Sequence, residues 1–367
     1  MKLITLTYRT YIAAMLLLLG LSACSSKEDI PQPEPLPEQT EMPIRWSVQS
    51  NESVESKALV DNDVLQGTCT PSEGGTCESI GVWGQYVIEE DGQTSTHVEF
   101  DAVPLTYAAK TEDTNPYNDW NYPGEARRWV SGGVYTFRAC YPQALMESLM
   151  TEITPTILQG TVNTAEIQKD LLVASTYVDT NTANLSGPVP LDLKHILAAI
   201  KVRVEAEEGY DPGDDAITSC WFQNQSDATN LFATSGYLVY SGNETSTMVW
   251  YPYESNVAPM YVWNHPKGLS FTEGGETYLY TDNADNAYTT NDGWLLVVPQ
   301  QVKSNSLHLC YTLKNAPGKV FSRAIPEVVY QAGYKYSYAL SIGGADATLT
   351  LTIAPWNELN SSHNIDL

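Results

Sequence analysis

The chain is poor in positive charge and in histidine, and each shortage excludes a class of protein. Its 367 residues contain 19 Lys and Arg against 44 Asp and Glu, a formal net charge of −25 at pH 7. Binding to nucleic-acid phosphates needs clustered Lys and Arg, so we expect no nucleic-acid partner. The five histidines are scattered along the sequence, without the ligand spacing of a zinc site. We therefore predict no metal and no cofactor.

Catalytic sequence motifs are also lacking. The sequence contains no G-x-S-x-G elbow, H-E-x-x-H helix, P-loop or G-x-G-x-x-G turn. A glycoside hydrolase with a pair of catalytic carboxylates is the alternative that the sequence does not exclude. Such pairs need not be neighbours in sequence, and acidic residues are abundant here. With no positive support for any reaction, we expect a protein that is not an enzyme.

No apolar run is long enough to span a membrane, yet the first residues form an export signal. Lys2 and Arg9 precede an apolar stretch at residues 12–23. At about 1.5 Å per residue, that stretch covers only ~18 Å, so it fits a signal-peptide core at residues 1–23. It ends in Leu-Ser-Ala-Cys, which resembles the bacterial lipoprotein box and implies lipidation of Cys24. An ordinary signal peptide with an incidental cysteine is the alternative.

The segment at residues 24–43 is predicted to be a stiff tether. It carries five prolines interleaved with Gln and Glu, a composition typical of polyproline-type extension. Lys27, Glu28 and Asp29, just after the lipidation cysteine, resemble the surface-export signal of Bacteroidetes lipoproteins. We expect a lipid anchor in the outer membrane, with the folded part displayed at the cell surface.

Beyond residue 43 the sequence predicts an all-β fold. Apolar residues alternate with period two at residues 44–48, 134–139, 199–204 and 348–353, and turn-forming residues separate these runs. The best helix signal is short, at residues 143–150. Length favours two domains, and the turn-rich segment before residue 195 divides them. We predict an N-terminal domain at 44–195 and a C-terminal domain at 196–367.

Two cysteines are candidates for a disulfide. Cys69 and Cys77 flank a Gly-Gly turn, and export to an oxidising compartment allows them to pair. Two unpaired thiols are the alternative. Cys140 and Cys220 lie within apolar or aromatic runs, so we expect them in the core.

Aromatic clusters offer a candidate binding surface. Tyr117, Trp120 and Tyr122 lie in a segment rich in Asn, Pro and Gly, which predicts a loop. Exposed rings of this kind stack on sugars or anchor a protein partner, whereas the alternative is that they cover the edge of the β-structure. A second dense set comprises Trp250, Tyr251, Tyr253, Tyr261 and Trp263.

The sequence resembles the fimbrillin family of Bacteroidetes surface lipoproteins, the subunits of type V pili. The resemblance rests on four stretches in order: WVSGGVYTFRACYP at 129–142, DLLVA at 170–174, VPLDLKHILAAIKV at 189–202, and GYKYSY at 333–338 with APW at 354–356. It implies two transthyretin-like Greek-key β-sandwich domains and a non-enzymatic structural subunit of a fimbrium. The family includes stalk, tip and anchor subunits.

The resemblance also implies a mode of assembly. In the family, a protease cuts after Arg or Lys, the first strand leaves with the lipidated segment, and a neighbouring pilin subunit fills the vacated groove by β-strand exchange. A monomeric lipid-anchored adhesin that binds host or bacterial surface glycans or proteins is the alternative function.

In this chain, the displaced strand is predicted at residues 44–48. Ile44, Trp46 and Val48 lie on its buried face by alternation. Polar residues follow up to Lys57, and polar loops are where proteolysis concentrates. Lys57 is therefore the predicted processing site. Arg45 is the alternative, although it lies within the predicted strand.

Overall fold

The structure, a computed structural model, describes most of the chain beyond residue 38. The described residues are 39–50, 65, 78–107, 120–225, 232–242, 245–253, 260–275, 277–279, 293–344, 346–356 and 363–366. Residues 39–367 form one compact unit.

Within these ranges the chain is almost entirely β-structure, which confirms the all-β prediction. The strands of the first half are β1 (Gln39–Pro43), β2 (Trp46–Ser50), β3 (Ile80–Glu90), β4 (Gln93–Tyr107), β5 (Trp120–Asn121), β6 (Arg128–Val130), β7 (Val134–Tyr141), β8 (Met150–Ile153), β9 (Ile157–Asn163), β10 (Leu172–Asp179) and β11 (Val189–His195). A short helix, α1 (Gln143–Leu149), precedes β8.

The second half continues the pattern. Its strands are β12 (Ala198–Ala206), β13 (Ile217–Asn224), β14 (Ser235–Gly242), β15 (Ser246–Pro252), β16 (Met260–Leu269), β17 (Thr277–Leu279), β18 (Leu295–Val297), β19 (Gln300–Val302), β20 (Leu307–Leu313), β21 (Val320–Ala324), β22 (Val328–Tyr330), β23 (Tyr334–Gly343), β24 (Asp346–Pro355) and β25 (His363–Asp366). Among the described residues, no helix is long and apolar enough to cross a membrane.

Seven strands of the first half close into a barrel. Its order is β10-β11-β2-β5-β4-β3-β7, and β1 pairs separately with β6. Alternation along β11 is complete, because Leu191 and Leu193 are buried while Asp192 between them is exposed. One face of each barrel strand thus faces a common core.

The other strands form stacked sheets. Their orders are β15-β14-β9-β8, β16-β13-β20-β21, and β17-β12-β23-β24-β25 with β18 also on β12, while β19 pairs with β22. Residues 44–193 alone build one buried apolar cluster, and residues 198–351 alone build another. A third cluster draws on both halves. The division near residue 195 into two Greek-key domains stays a prediction.

Most predicted elements lie where alternation placed them. Strands β7, β12 and β24 contain the runs at 134–139, 199–204 and 348–353, and α1 matches the helix signal at 143–150. The first strand differs from the prediction. The expected strand at 44–48 begins two residues later, as β2 at Trp46, and the predicted tether at 24–43 is wrong for its last five residues, which form β1. Proline has no N–H and fixes φ, which explains the end of β1 at Pro43.

Candidate functional site

The candidate site is the groove in the barrel that strand β2 fills. Strand β2 lies between β11, to which it runs parallel, and β5, which it meets at the antiparallel pair of Trp46 with Trp120. The parallel ladder extends from Trp46 opposite Val189 to Ser50 opposite Leu193. Strand β10 pairs only with the last two residues of β11. Most of the backbone edge of β11 is therefore paired by β2 alone.

The apolar side chains of β2, together with Ile44 just before it, form an apolar plug in the groove. The side chains of Ile44 and Trp46 are each 1% exposed, and Val48 is partly buried against the same core. The Trp46 ring packs edge-on against Phe100 and Phe137, with ring centroids 5.2 and 4.9 Å away. The structure thus confirms that Ile44, Trp46 and Val48 face the core. Removal of this plug would uncover the sides of the Phe100 and Phe137 rings that Trp46 now covers.

Hydrogen bonds hold the backbone of the two residues that precede β2. The Ile44 N–H donates to the carbonyl oxygen of Arg127 at 2.8 Å, and the Tyr122 hydroxyl donates to the Ile44 carbonyl at 3.2 Å. The Val189 N–H donates to the Arg45 carbonyl at 2.7 Å. These bonds satisfy the backbone where the ladder is interrupted.

The opposite face of β2 lies at the barrel surface. Ser47 and Gln49 are exposed, and the Gln49 amide donates to the Asp192 carboxylate at 2.5 Å. Exposed pairs of this kind contribute little stability, so the hold on β2 comes from its apolar face and its ladder.

Several predicted site residues lie outside the described part of the chain. These are Cys24, Lys57, Cys69, Cys77 and Tyr117. Lipidation, processing after Lys57 and the disulfide therefore stay predictions.

Arg45, the alternative processing residue, lies between β1 and β2 rather than inside one strand. Its carbonyl is nevertheless held by the Val189 N–H, as expected for backbone tied into the barrel. A protease needs an extended, unpaired backbone, so this position is a poorer target than a polar loop tip.

Trp120 and Tyr122 form part of the barrel core. Trp120 is 3% exposed on β5, and its ring lies 5.4 Å from that of Tyr107. Tyr122 is half-buried, and its hydroxyl also accepts the Arg127 N–H at 2.9 Å. Burial raises the pKa of the Tyr122 hydroxyl, as expected for a phenol removed from water. The interpretation of exposed, stacking rings is thus wrong for Trp120, and the core alternative applies to both residues.

A buried polar pair at the end of β11 was not predicted from the sequence. His195 Nδ1 and Asp170 Oδ2 are 2.8 Å apart, and both residues are 5% exposed. The Trp356 ring stacks on His195 with centroids 4.1 Å apart. These residues are far apart in sequence, so spacing could not have revealed them. The ring contact joins the end of β11 to the residue after β24.

The buried cysteines have thiols of low reactivity. Burial raises the pKa of Cys140 to about 12 and that of Cys310 to about 11, and it raises that of Cys220 well above its usual value. Only thiolates are nucleophiles and metal ligands, so these thiols are unsuited to either role. The prediction that Cys140 and Cys220 are core residues is confirmed. In the described ranges, no group of three or more His, Cys, Asp or Glu side chains is arranged to hold a metal ion.

Comparison of the sequence with protein families gives one decisive match. A family model described as fimbrillin-like matches residues 72–356, which is more than half of the chain. The chain belongs to the fimbrillin-like family. The match confirms the resemblance seen in the sequence and makes this fimbrillin-like chain a pilus- or adhesion-related subunit of the fimbrium or cell surface. Family membership also indicates a structural rather than an enzymatic protein.

Solved structures give weaker likenesses. A candidate cell adhesion protein from Bacteroides uniformis is 16% identical, with a TM-score of 0.46 and coverage of 76% of this chain and 92% of the other. The tip fimbrial protein Mfa3 from Porphyromonas gingivalis, truncated at its C-terminus, is 10% identical, with a TM-score of 0.36 and coverage of 76% and 94%. A fimbrial assembly protein from Parabacteroides distasonis is 10% identical, with a TM-score of 0.34 and coverage of 76% and 91%. The comparison with curated proteins gives no match.

Proposed function

We propose that this fimbrillin-like chain is a pilus subunit that assembles by exchange of strand β2. The observation that carries the proposal is the place of β2 in the barrel. It fills a groove between β11 and β5, pairs most of β11, and contributes the buried side chain of Trp46, next to the buried Ile44 that precedes it. An extended strand with alternating apolar side chains can enter such a groove from another molecule.

The position of β2 in the sequence supports this mechanism. It is followed by the polar segment at residues 51–56 and then by Lys57. A cut after Lys57 would leave β1 and β2 on the fragment that carries the lipidated Cys24, held to the rest of the subunit only by non-covalent contacts. Release of that fragment would open the edge of β11 and the pocket of Trp46. Unpaired backbone and exposed apolar surface then favour strand addition.

In this proposal the unprocessed chain is an export form. Its lipidated Cys24 anchors it to the outer membrane, and the proline-rich segment before β1 holds the folded part away from the bilayer. The partners are other pilin subunits. The adhesin that binds glycans or proteins through Tyr117, Trp120 and Tyr122 is less well supported, because Trp120 is buried.

Controlled proteolysis tests the proposal. Trypsin-like cleavage after Lys57 should yield a chain that starts at Ala58 and forms oligomers, visible by size-exclusion chromatography and electron microscopy. The Lys57→Ala variant should not be cut at this position and should not assemble by strand exchange. The Arg45→Ala variant should still be cut after Lys57 and should assemble. If the chain starting at Ala58 stays a stable monomer at high concentration, strand exchange is the wrong mechanism.

A further inference from the structure

Arg138 is a buried cation that no described carboxylate neutralises. Its side chain leaves β7 on the face opposite the barrel-core residue Phe137, and it is 0% exposed. Arginine stays protonated in proteins, and a buried charge is costly unless it is paired. The chain has 44 acidic residues, yet none of those described forms an ion pair with Arg138. By contrast, Arg203 on β12 lies 3.4 Å from the Glu205 carboxylate.

Only part of the Arg138 guanidinium makes polar contacts with the protein. Its Nε donates to the Thr154 carbonyl oxygen at 3.0 Å, and its central carbon lies 4.5 Å from the centroid of the Tyr240 ring. The other two nitrogens, Nη1 and Nη2, are buried and have no hydrogen-bond partner. Together they form the end of the planar fork, where two N–H groups converge on one acceptor. This edge of the guanidinium therefore defines where an acceptor binds.

The strands beside and opposite β7 enclose this edge and add a further donor. Ser175 on β10 and Trp83 on β3 are the register partners of Arg138, so their side chains lie on the same face of the barrel wall. The Ser175 hydroxyl is also buried without a hydrogen-bond partner. Trp83 is 5% exposed, and Tyr240 on β14 of the facing sheet is 3% exposed. Because the layers cover Arg138 completely, only a small ligand suits this place.

The groups around the guanidinium do not supply its counter-charge. Cys140 lies two residues along β7 on the same face, and burial raises the pKa of its thiol to about 12, so it is uncharged at neutral pH. The Tyr240 ring contributes only the partial charge of its π face. A water molecule could accept the N–H groups but would leave the charge unbalanced. A negatively charged ligand satisfies both needs at once.

We propose that Arg138 binds a small monovalent anion, of which chloride is the simplest, between the barrel and the sheet β15-β14-β9-β8. Nη1 and Nη2 donate to the ion from one edge of the guanidinium, and the Ser175 hydroxyl donates from the neighbouring strand. The ion balances the charge of Arg138 and thereby stabilises the contact of β7 and β10 with β14. This site requires neither proteolysis nor departure of β2, so it is independent of strand exchange.

Unfolding of the full chain in urea tests the proposal, with chloride replacing the larger anion gluconate at constant ionic strength. Each tenfold rise in chloride above its dissociation constant should shift the equilibrium about tenfold towards the folded state. Arg138→Met removes the buried charge and should abolish this dependence. Arg128→Met, at an exposed arginine of β6, is the matched control and should retain it. Equal chloride dependence in the Arg138→Met and parent proteins, or none in the parent over roughly a thousandfold range, would overturn the proposal.

Bromide provides a second test that needs no variant, so it decides the matter even if Arg138→Met fails to fold. Bromide carries the same charge as chloride and is located by its anomalous scattering. Crystals of the parent protein grown with bromide should show an anomalous peak within hydrogen-bond distance of Arg138 Nη1 and Nη2. A water molecule at this place without an anomalous signal, or bromide bound at surface Lys and Arg residues alone, would overturn the proposal.

Discussion

Truncation of Trp46 measures how strongly the barrel holds β2. The residue is 1% exposed, and its ring packs edge-on against Phe100 and Phe137. Replacement of a buried Trp by Ala typically costs about 3–5 kcal/mol, from lost burial and the cavity left behind. Trp46→Ala should therefore shift the equilibrium for release of β2 by about a hundredfold to several thousandfold.

Hydrogen exchange at one amide reports this release. The Val189 N–H donates to the Arg45 carbonyl, so it exchanges only when the chain at the start of β2 opens. Trp46→Ala should accelerate its exchange by that factor. Ser47→Ala, an exposed position on the same strand, should change the free energy of opening by less than about 0.5 kcal/mol.

Comparing the parent and Trp46→Ala proteins again after assembly separates strand exchange from a general loss of stability. In oligomers of the chain starting at Ala58, Trp46 is absent from the groove, so the parent and Trp46→Ala proteins should give identical assemblies. The reasoning fails if Trp46→Ala opens β2 no more than Ser47→Ala does, because the plug would then contribute nothing to holding the strand.

Three further predictions follow from the other residues. Cys24→Ser should leave the protein without an acyl mass and no longer membrane-bound, and a variant still extracted only by detergent would contradict lipidation. Trp120→Ala should lower the melting temperature by far more than Tyr122→Phe, since Trp120 is 3% exposed; equal, small shifts would place it outside the core. Burial raises the pKa of Tyr336 and Tyr311 to about 12 from 10.0, so folding favours their protonated forms. That stabilisation is present below pH ~10 and is lost as pH rises towards 12, so unfolding midpoints should fall over this interval; a flat profile in an alkaline denaturation series would contradict it.

The alternation of apolar and polar residues predicted most of the strands, because each of these strands has one face in a core. Leu191 and Leu193 on β11 show the pattern clearly, with Asp192 exposed between them. It was a poorer guide on β7, where Arg138 and Thr136 are buried on the face opposite Phe137. Both faces of β7 are covered, and periodicity cannot reveal a second layer.

The candidate site required contacts that sequence does not display. Period two placed Ile44 and Trp46 on one face, as observed, but could not show that β2 runs parallel to a strand about 140 residues away. The hydrogen bonds that hold Ile44 and Arg45 before β2 go to Arg127 and Val189, which are distant in sequence. The loop-like composition around Trp120 suggested exposure because Asn, Pro and Gly favour turns, yet a single buried ring overrides local composition.

Whether β2 leaves the barrel is tested most directly by locking it in place. Gln49 and Asp192 are register partners on β2 and β11, and their side chains are in contact at 2.5 Å. In the Gln49→Cys, Asp192→Cys double variant, a disulfide should tie β2 to its groove. After cleavage at Lys57, the oxidised protein should stay monomeric, and reduction should release β2 and start assembly. Filaments that form equally well from the oxidised and the reduced protein would contradict strand exchange at this site.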